Sequence, residues 1–118
     1  LPPTAVDLLV PCGLGIKSHD QAELNGLSSV FGNGLERVPM SPIKAQTGNL
    51  AAGSGVDACA AVLAVEAGKI PPGLNTRKPL DGRKLNVSRE TRDARVGVSV
   101  SSVYSIGGQN AALVFKRI

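Results

Sequence analysis

Ala5-Val6-Asp7-Leu8-Leu9-Val10-Pro11-Cys12-Gly13-Leu14-Gly15 decides how the chain folds. The run from Ala5 to Val10 is short, apolar and closed by a proline, which predicts a buried strand. The glycines at 13 and 15 then turn the chain. Ser18 or Asp20 is placed to N-cap a helix running to about Phe31, with Ala22, Leu24, Leu27, Val30 and Phe31 on its apolar face. Gly32-Asn33-Gly34 stops that helix.

Val38-Pro39-Met40 reads as a short extended piece, and residues 49–55 as a loop of small residues. Residues 56–67 are rich in Ala, Val and Leu and end at Gly68. A helix apolar nearly all round is a buried one, so Cys59 is expected to be core. Pro71-Pro72-Gly73 forces a loop, and residues 73–94 are polar, basic and expected to be irregular. Valine-rich residues 94–102 and residues 111–116, joined by Gly107-Gly108-Gln109-Asn110, predict a terminal hairpin. The order is β-α-β-α-β-β, an α/β layered fold ending in an antiparallel pair. A chain of this size buries only about two thirds of its surface. So apolar a helix therefore implies packing against further polypeptide.

The 118 residues hold three aromatics, Phe31, Tyr104 and Phe115, so no stacking platform for single-stranded nucleic acid can be built. No apolar run reaches the roughly 20 residues that span a bilayer. Leu1-Pro2-Pro3-Thr4 resembles no signal peptide, and with only two cysteines a reducing, cytoplasmic setting is expected. Cys12, Cys59 and His19 are not spaced as zinc ligands. The net charge is +4, with Arg77, Lys78, Arg83, Lys84, Arg89, Arg92 and Arg95 crowding one stretch and Lys116-Arg117 at the end. That suits either a solvated loop or an acidic partner.

Four segments, in order, resemble the C-terminal half of the β-ketoacyl synthases, condensing enzymes of the thiolase fold. Residues 6–16, followed by Asp20 and Glu23, stand where the family writes V-D-Y-V-N-A-H-G-T-G-T and then D-x-x-E. Residues 41–50 stand where it writes S-x-K-x-x-x-G-H-L. Residues 55–75 match its Ala/Val-rich helix ending in G-x-I-P-P-x-x-N. Residues 101–115 match S-N-S-F-G-F-G-G-x-N-A-x-L-V-F. The resemblance implies a single domain over residues 1–118, one half of a five-layered α-β-α-β-α sandwich, with the N-terminal half and its Cys nucleophile absent from this chain.

The departures carry as much information. The family's two catalytic histidines are replaced by Cys12 and Asn49. The gating G-F-G-G is Ser105-Ile106-Gly107-Gly108, preceded by Tyr104 in place of Phe. In the family the two imidazoles polarise the thioester carbonyl and assist decarboxylation. Asn49 can donate a hydrogen bond but cannot exchange protons near neutral pH, and Cys12 is a weak donor expected to stay a neutral thiol. Asp20, Glu23 and Lys44 match retained charges that form one buried network in the family. They are expected to stay together as scaffold, since a buried charge is expensive unless paired. The Gly107-Gly108 turn is expected to let the backbone approach the pocket closely. His19 is expected on the surface at the helix start, a Cys12/His19 catalytic pair being the alternative.

The resemblance therefore implies a catalytically degenerate subunit of the chain-length-factor type, pairing with an active ketosynthase in fatty acid or polyketide biosynthesis. The alternative is a piece of a split or processed condensing enzyme, a 3-oxoacyl-acyl carrier protein synthase using a nucleophile from another chain. A third reading, a small basic α/β binding module, is unrelated to the family. No metal and no covalently bound cofactor is implied. The acyl chain would arrive on the phosphopantetheine of an acidic acyl carrier protein, docked on the basic stretch 77–95 and Lys116-Arg117.

Overall fold

In the computed structural model, which describes residues 1–78 and 80–118, one central strand carries the architecture. That strand is β1, Leu8–Val10, and all three of its residues are buried. Successive side chains of a strand face opposite ways. Leu8 and Val10 accordingly join Ala61, Ala64, Val65, Ile70 and Val96 on one side. Leu9 joins Leu35 and Met40 on the other, where Leu27 and Phe31 pack against it. A strand covered on both faces reads as a continuous apolar run, which is why residues 5–10 show no alternation.

The covering layers are the two long helices. Helix α1, Lys17–Phe31, follows β1 and ends at Gly32, whose φ of 53° favours a glycine. Helix α3, Gly53–Ala67, ends at the left-handed Gly68. The Arg117 guanidinium donates to the carbonyl oxygens of Val65 and Glu66 at that end. Between the helices lie β2, Pro39–Met40, and a single turn α2, Lys44–Thr47. After α3 come β3, Lys69–Ile70, then β4, Asn86–Val87, and β5, Arg92–Asp93. The chain ends in β6, Val98–Ser105, and β7, Gln109–Lys116. The main sheet runs β4-β2-β1-β6-β7, parallel except for the antiparallel β6–β7 hairpin, and β3 pairs with β5 separately. The mixed α/β layering is the one expected.

Several expectations change in detail. Ser18 and Asp20 lie inside the first turn of α1 rather than capping it, and the cap position is Ile16. The first strand is shorter than expected because residues 3–5 form a 3-10 turn. Residues 53–55 are helical rather than loop. The stretch 73–94 is not wholly irregular, since β4 and β5 fall within it, while Pro79 lies outside the described residues. The strand expected from residue 94 begins at Val98. Asp7 holds the approach to it, its Oδ2 accepting from Gly97 N–H at 2.8 Å and Val98 N–H at 2.9 Å. Cys59 is exposed rather than core. It shares an exposed stripe with Val56, Val62 and Leu63, because this chain covers only the opposite face of α3.

Candidate functional site

The loop that leaves the C-terminal end of β1 divides two clefts. Parallel sheets gather ligand sites at that end of their strands. Cys12, Leu14 and Ile16 line one cleft, of about 590 Å³. Pro11, Gly13 and Gly15 line the other, of about 270 Å³. Residues of opposite parity thus face opposite sides of one wall. Gly13 has φ of 50°, and a Cβ there would meet Pro42 Cβ at 3.3 Å.

Glu23, from the second turn of α1, fastens the wall. Its Oε1 accepts from Cys12 N–H at 2.7 Å and from the Ser102 hydroxyl at 3.2 Å, and its Oε2 from Gly13 N–H at 2.9 Å. Burial pushes the Glu23 carboxyl above the ordinary carboxylate range, against the pull of those donors. Asp20 does a smaller version of the same task, its Oδ1 accepting from Gly15 N–H at 3.2 Å.

The Lys44 ammonium donates to Asp57 Oδ2, and both side chains are almost wholly buried. Asp57 comes from the first turns of α3. Burial raises its carboxyl, and the hydrogen bond and charge of Lys44 oppose that rise. Gly53 gives the lysine room: a Cβ there would meet Lys44 Cε at 3.1 Å. Asp20, Glu23 and Lys44 therefore do not form the single network expected of them. Among the described residues, no hydrogen bond or ion pair joins Lys44 to either carboxylate. The two carboxylates hold the 11–16 wall, and Lys44 ties α2 to α3 through Asp57.

The larger cleft brings together most of the residues singled out in the sequence. Cys12 is buried at its floor, Asn49 is exposed at its edge, and Lys44, Tyr104, Ser105 and Ile106 also line it. Burial pushes the Cys12 thiol up, only partly countered by a backbone hydrogen bond from Tyr104. The thiol is neutral near neutral pH. Burial likewise raises the Tyr104 phenol above its ordinary value.

Gly107 and Gly108 do not line the cleft, and an added Cβ at either meets nothing within 4 Å. Their φ values of 95° and 81° explain the glycines: the hairpin turn needs them, not a close approach. His19 is half-buried rather than on the surface. It lines the same cleft as Cys12, with its ring edge-to-face against Tyr104.

Sequence reading missed Asp57, although one signal was available: it is the only charged residue between 53 and 65 in an otherwise apolar helix. It also missed Ser102, whose hydroxyl role depends on a partner 79 residues away in sequence.

The sequence profile of the beta-ketoacyl synthase C-terminal domain matches residues 1–77. The chain belongs to that family. Nodulation protein E of Rhizobium meliloti is 33% identical over 115 residues, covering 96% of this chain and 29% of the relative. The tetracenomycin polyketide synthase ketoacyl synthase beta subunit of Streptomyces glaucescens is 33% identical over 117 residues, with 98% and 28% covered. The 3-oxoacyl-[acyl-carrier-protein] synthase 2 of Synechocystis is 31% identical over 119 residues, with 99% and 29% covered. The solved structure of the ishigamide ketosynthase/chain length factor superposes with a TM-score of 0.89 at 26% identity, covering all of this chain and 29% of its own. A beta-ketoacyl synthase from Burkholderia phymatum gives 0.89 at 25% identity, with the same coverage. The chain thus spans under a third of its relatives' length and corresponds to their C-terminal region. Among the described residues, no helix is long and apolar enough to cross a membrane.

Proposed function

We propose that this chain is the C-terminal region of a ketosynthase-like subunit of the chain-length-factor type, which pairs with an active ketosynthase. The observation that carries the reading is the pair Cys12 and Asn49. They stand at the two motif positions where the family has imidazoles, and both line one cleft. An aligned donor at a developing oxyanion is worth roughly 3 kcal/mol of barrier. A raised thiol and an amide that takes up no proton supply little of what two imidazoles would. The 33% identity to a polyketide ketoacyl synthase beta subunit supports the same reading.

Leu113 and Val114 on β7 are exposed, as is the apolar stripe of α3. Contiguous exposed apolar residues mark surfaces that further polypeptide covers. The N-terminal region of the complete protein, with its partner subunit behind it, is the proposed cover. An acidic acyl carrier protein bringing the chain on phosphopantetheine would meet a smaller basic surface than composition implies. Arg83 and Arg92 are half-buried and hold Ser28 and Asn86, and Arg117 is tied to the α3 terminus, whereas Arg77, Lys78, Lys84, Arg89, Arg95 and Lys116 are exposed.

The alternative, a piece of a working condensing enzyme, draws on one observation: Glu23 and the Lys44–Asp57 pair hold the cleft walls in good order. Native mass spectrometry of the complete, untagged protein from its source separates the two. The chain-length-factor reading expects a heterodimer whose other subunit takes the acyl label. Acyl label on an N-terminal piece that completes this chain's own fold, rather than on a second complete subunit, favours the alternative.

A further inference from the structure

The smaller cleft, on the α1 side of the wall, takes no part in what the larger one is proposed to do, yet it is built with care. Met40 and Leu24 are buried in it, and Leu27, Leu85 and Val87 are half-buried around them. Its rim is the segment 75–78, and that segment is tied down. Gly73 N–H donates to Ser88 O at 2.7 Å, the Gln46 side-chain amide donates to Pro72 O, and Asn75 Nδ2 donates to Ala45 O at 2.8 Å. Asn75 has φ of 65°, a left-handed bend that asparagine tolerates better than most residues. The chain then brings Thr76, Arg77 and Lys78 to the cleft. Arg77 and Lys78 are exposed, and among the described residues neither has a hydrogen-bond or ion-pair partner. The cleft's two carboxylates are already engaged: Asp20 and Glu23 accept from the N–H groups of Gly15, Cys12 and Gly13. The charge left unpaired at the rim is therefore positive. An apolar pocket with a few charged groups converging on its mouth is the ordinary form of a small-ligand site.

We infer that the smaller cleft binds a medium-chain alkyl carboxylate, with the chain against Leu24, Leu27, Met40 and Leu85 and the carboxylate at Arg77 and Lys78. A guanidinium fork matches a carboxylate with two parallel hydrogen bonds, and the ammonium adds a second positive charge. The cleft holds about 270 Å³. At about 30 Å³ for a group the size of a water molecule, that is room for roughly eight or nine carbons. Charge complementarity selects the anion over an alcohol or amine of the same length. The site does not depend on the larger cleft being an acyl site, because the 11–16 wall separates them: Gly13 lines one and Cys12 the other.

The test uses the complete protein with its partner subunit. Octanoate, hexanoate, octan-1-ol and octylammonium are titrated calorimetrically, and a diazirine-bearing octanoate locates the chain by peptide mass spectrometry. Octanoate should bind about fifteenfold tighter than hexanoate, the factor two buried methylenes confer. Arg77→Gln combined with Lys78→Gln should weaken octanoate about fivefold and leave octan-1-ol unchanged. Both substitutions are at exposed positions, so a shift in one probe and not the other reads the site rather than the fold. The label should fall on Leu24, Leu27, Leu85 or Val87. Label at Leu50, Val103 or Ile106 would put the chain in the larger cleft and overturn the inference. Octan-1-ol or octylammonium binding as tightly as octanoate overturns it too, as does an octanoate affinity indifferent to the double substitution. So does the absence of octanoate binding at millimolar concentration.

Discussion

Strands β1 and β7 lie in the same sheet with only β6 between them, and their sequences are similarly apolar. Leu8 and Val10 are 0% exposed, whereas Leu113 and Val114 are 51% and 55% exposed. The layers make the difference. α1 and α3 cover the two faces of β1, while β7 is covered only near its end, where Phe115 packs against the α3 cluster. Hydrophobicity says that a strand is meant to be buried. Which polypeptide buries it is a separate matter, and for β7 the proposed answer lies in the rest of the protein.

The sharpest contrast between completed and open regions is ionic. Asp57→Ala would leave the Lys44 ammonium buried without its partner, at about 3–5 kcal/mol, seen as a lowered urea midpoint. Replacing both residues by apolar ones of similar volume should recover most of that loss. If the single substitution costs nothing, the pair does not hold α2 to α3. Next in size, Leu8→Ala should cost about 2–5 kcal/mol, because β1 is enclosed on both faces.

Leu113→Ser then breaks or sharpens the comparison directly. In the complete protein it should cost about 1–3 kcal/mol, since a covered β7 would bury the new hydroxyl. A loss below about 0.5 kcal/mol would mean that β7 faces solvent there too. The smallest effect is a pH dependence. The Glu23 carboxyl is raised on folding, so the folded state holds its proton more tightly than the unfolded state. That contribution to stability is complete below the ordinary glutamate range and declines as pH rises through the folded value. Glu23→Gln should remove the decline, which denaturation midpoints across acidic to neutral pH would show as a flatter profile.

These comparisons also explain what could be read in advance. The run 5–10, the two helices and the Gly-turned hairpin were legible because each carries a local signal: an apolar run, helical spacing or a glycine stop. β4 was not, since Asn86–Val87 is two residues long and gains strand character only by pairing with β2. Cys12 and Asn49 could be placed through motif register alone. His19 could not, because its cleft position is set by how the wall from 11 to 16 turns before α1. The role of Asp57 needed Lys44 beside it, 13 residues away in sequence. The partial exposure of α3 could not be read either, because the composition of an apolar helix does not say which of its faces the neighbouring elements cover.

The central claim is that the larger cleft keeps the family's scaffold without its imidazoles. The most direct measurement is the rate at which the complete protein, free of any partner subunit, decarboxylates a malonyl-loaded acyl carrier protein. The account predicts no rate above the spontaneous one, and a rate restored when the ketosynthase partner is added. Decarboxylation by the protein alone at the speed of the paired complex would contradict it.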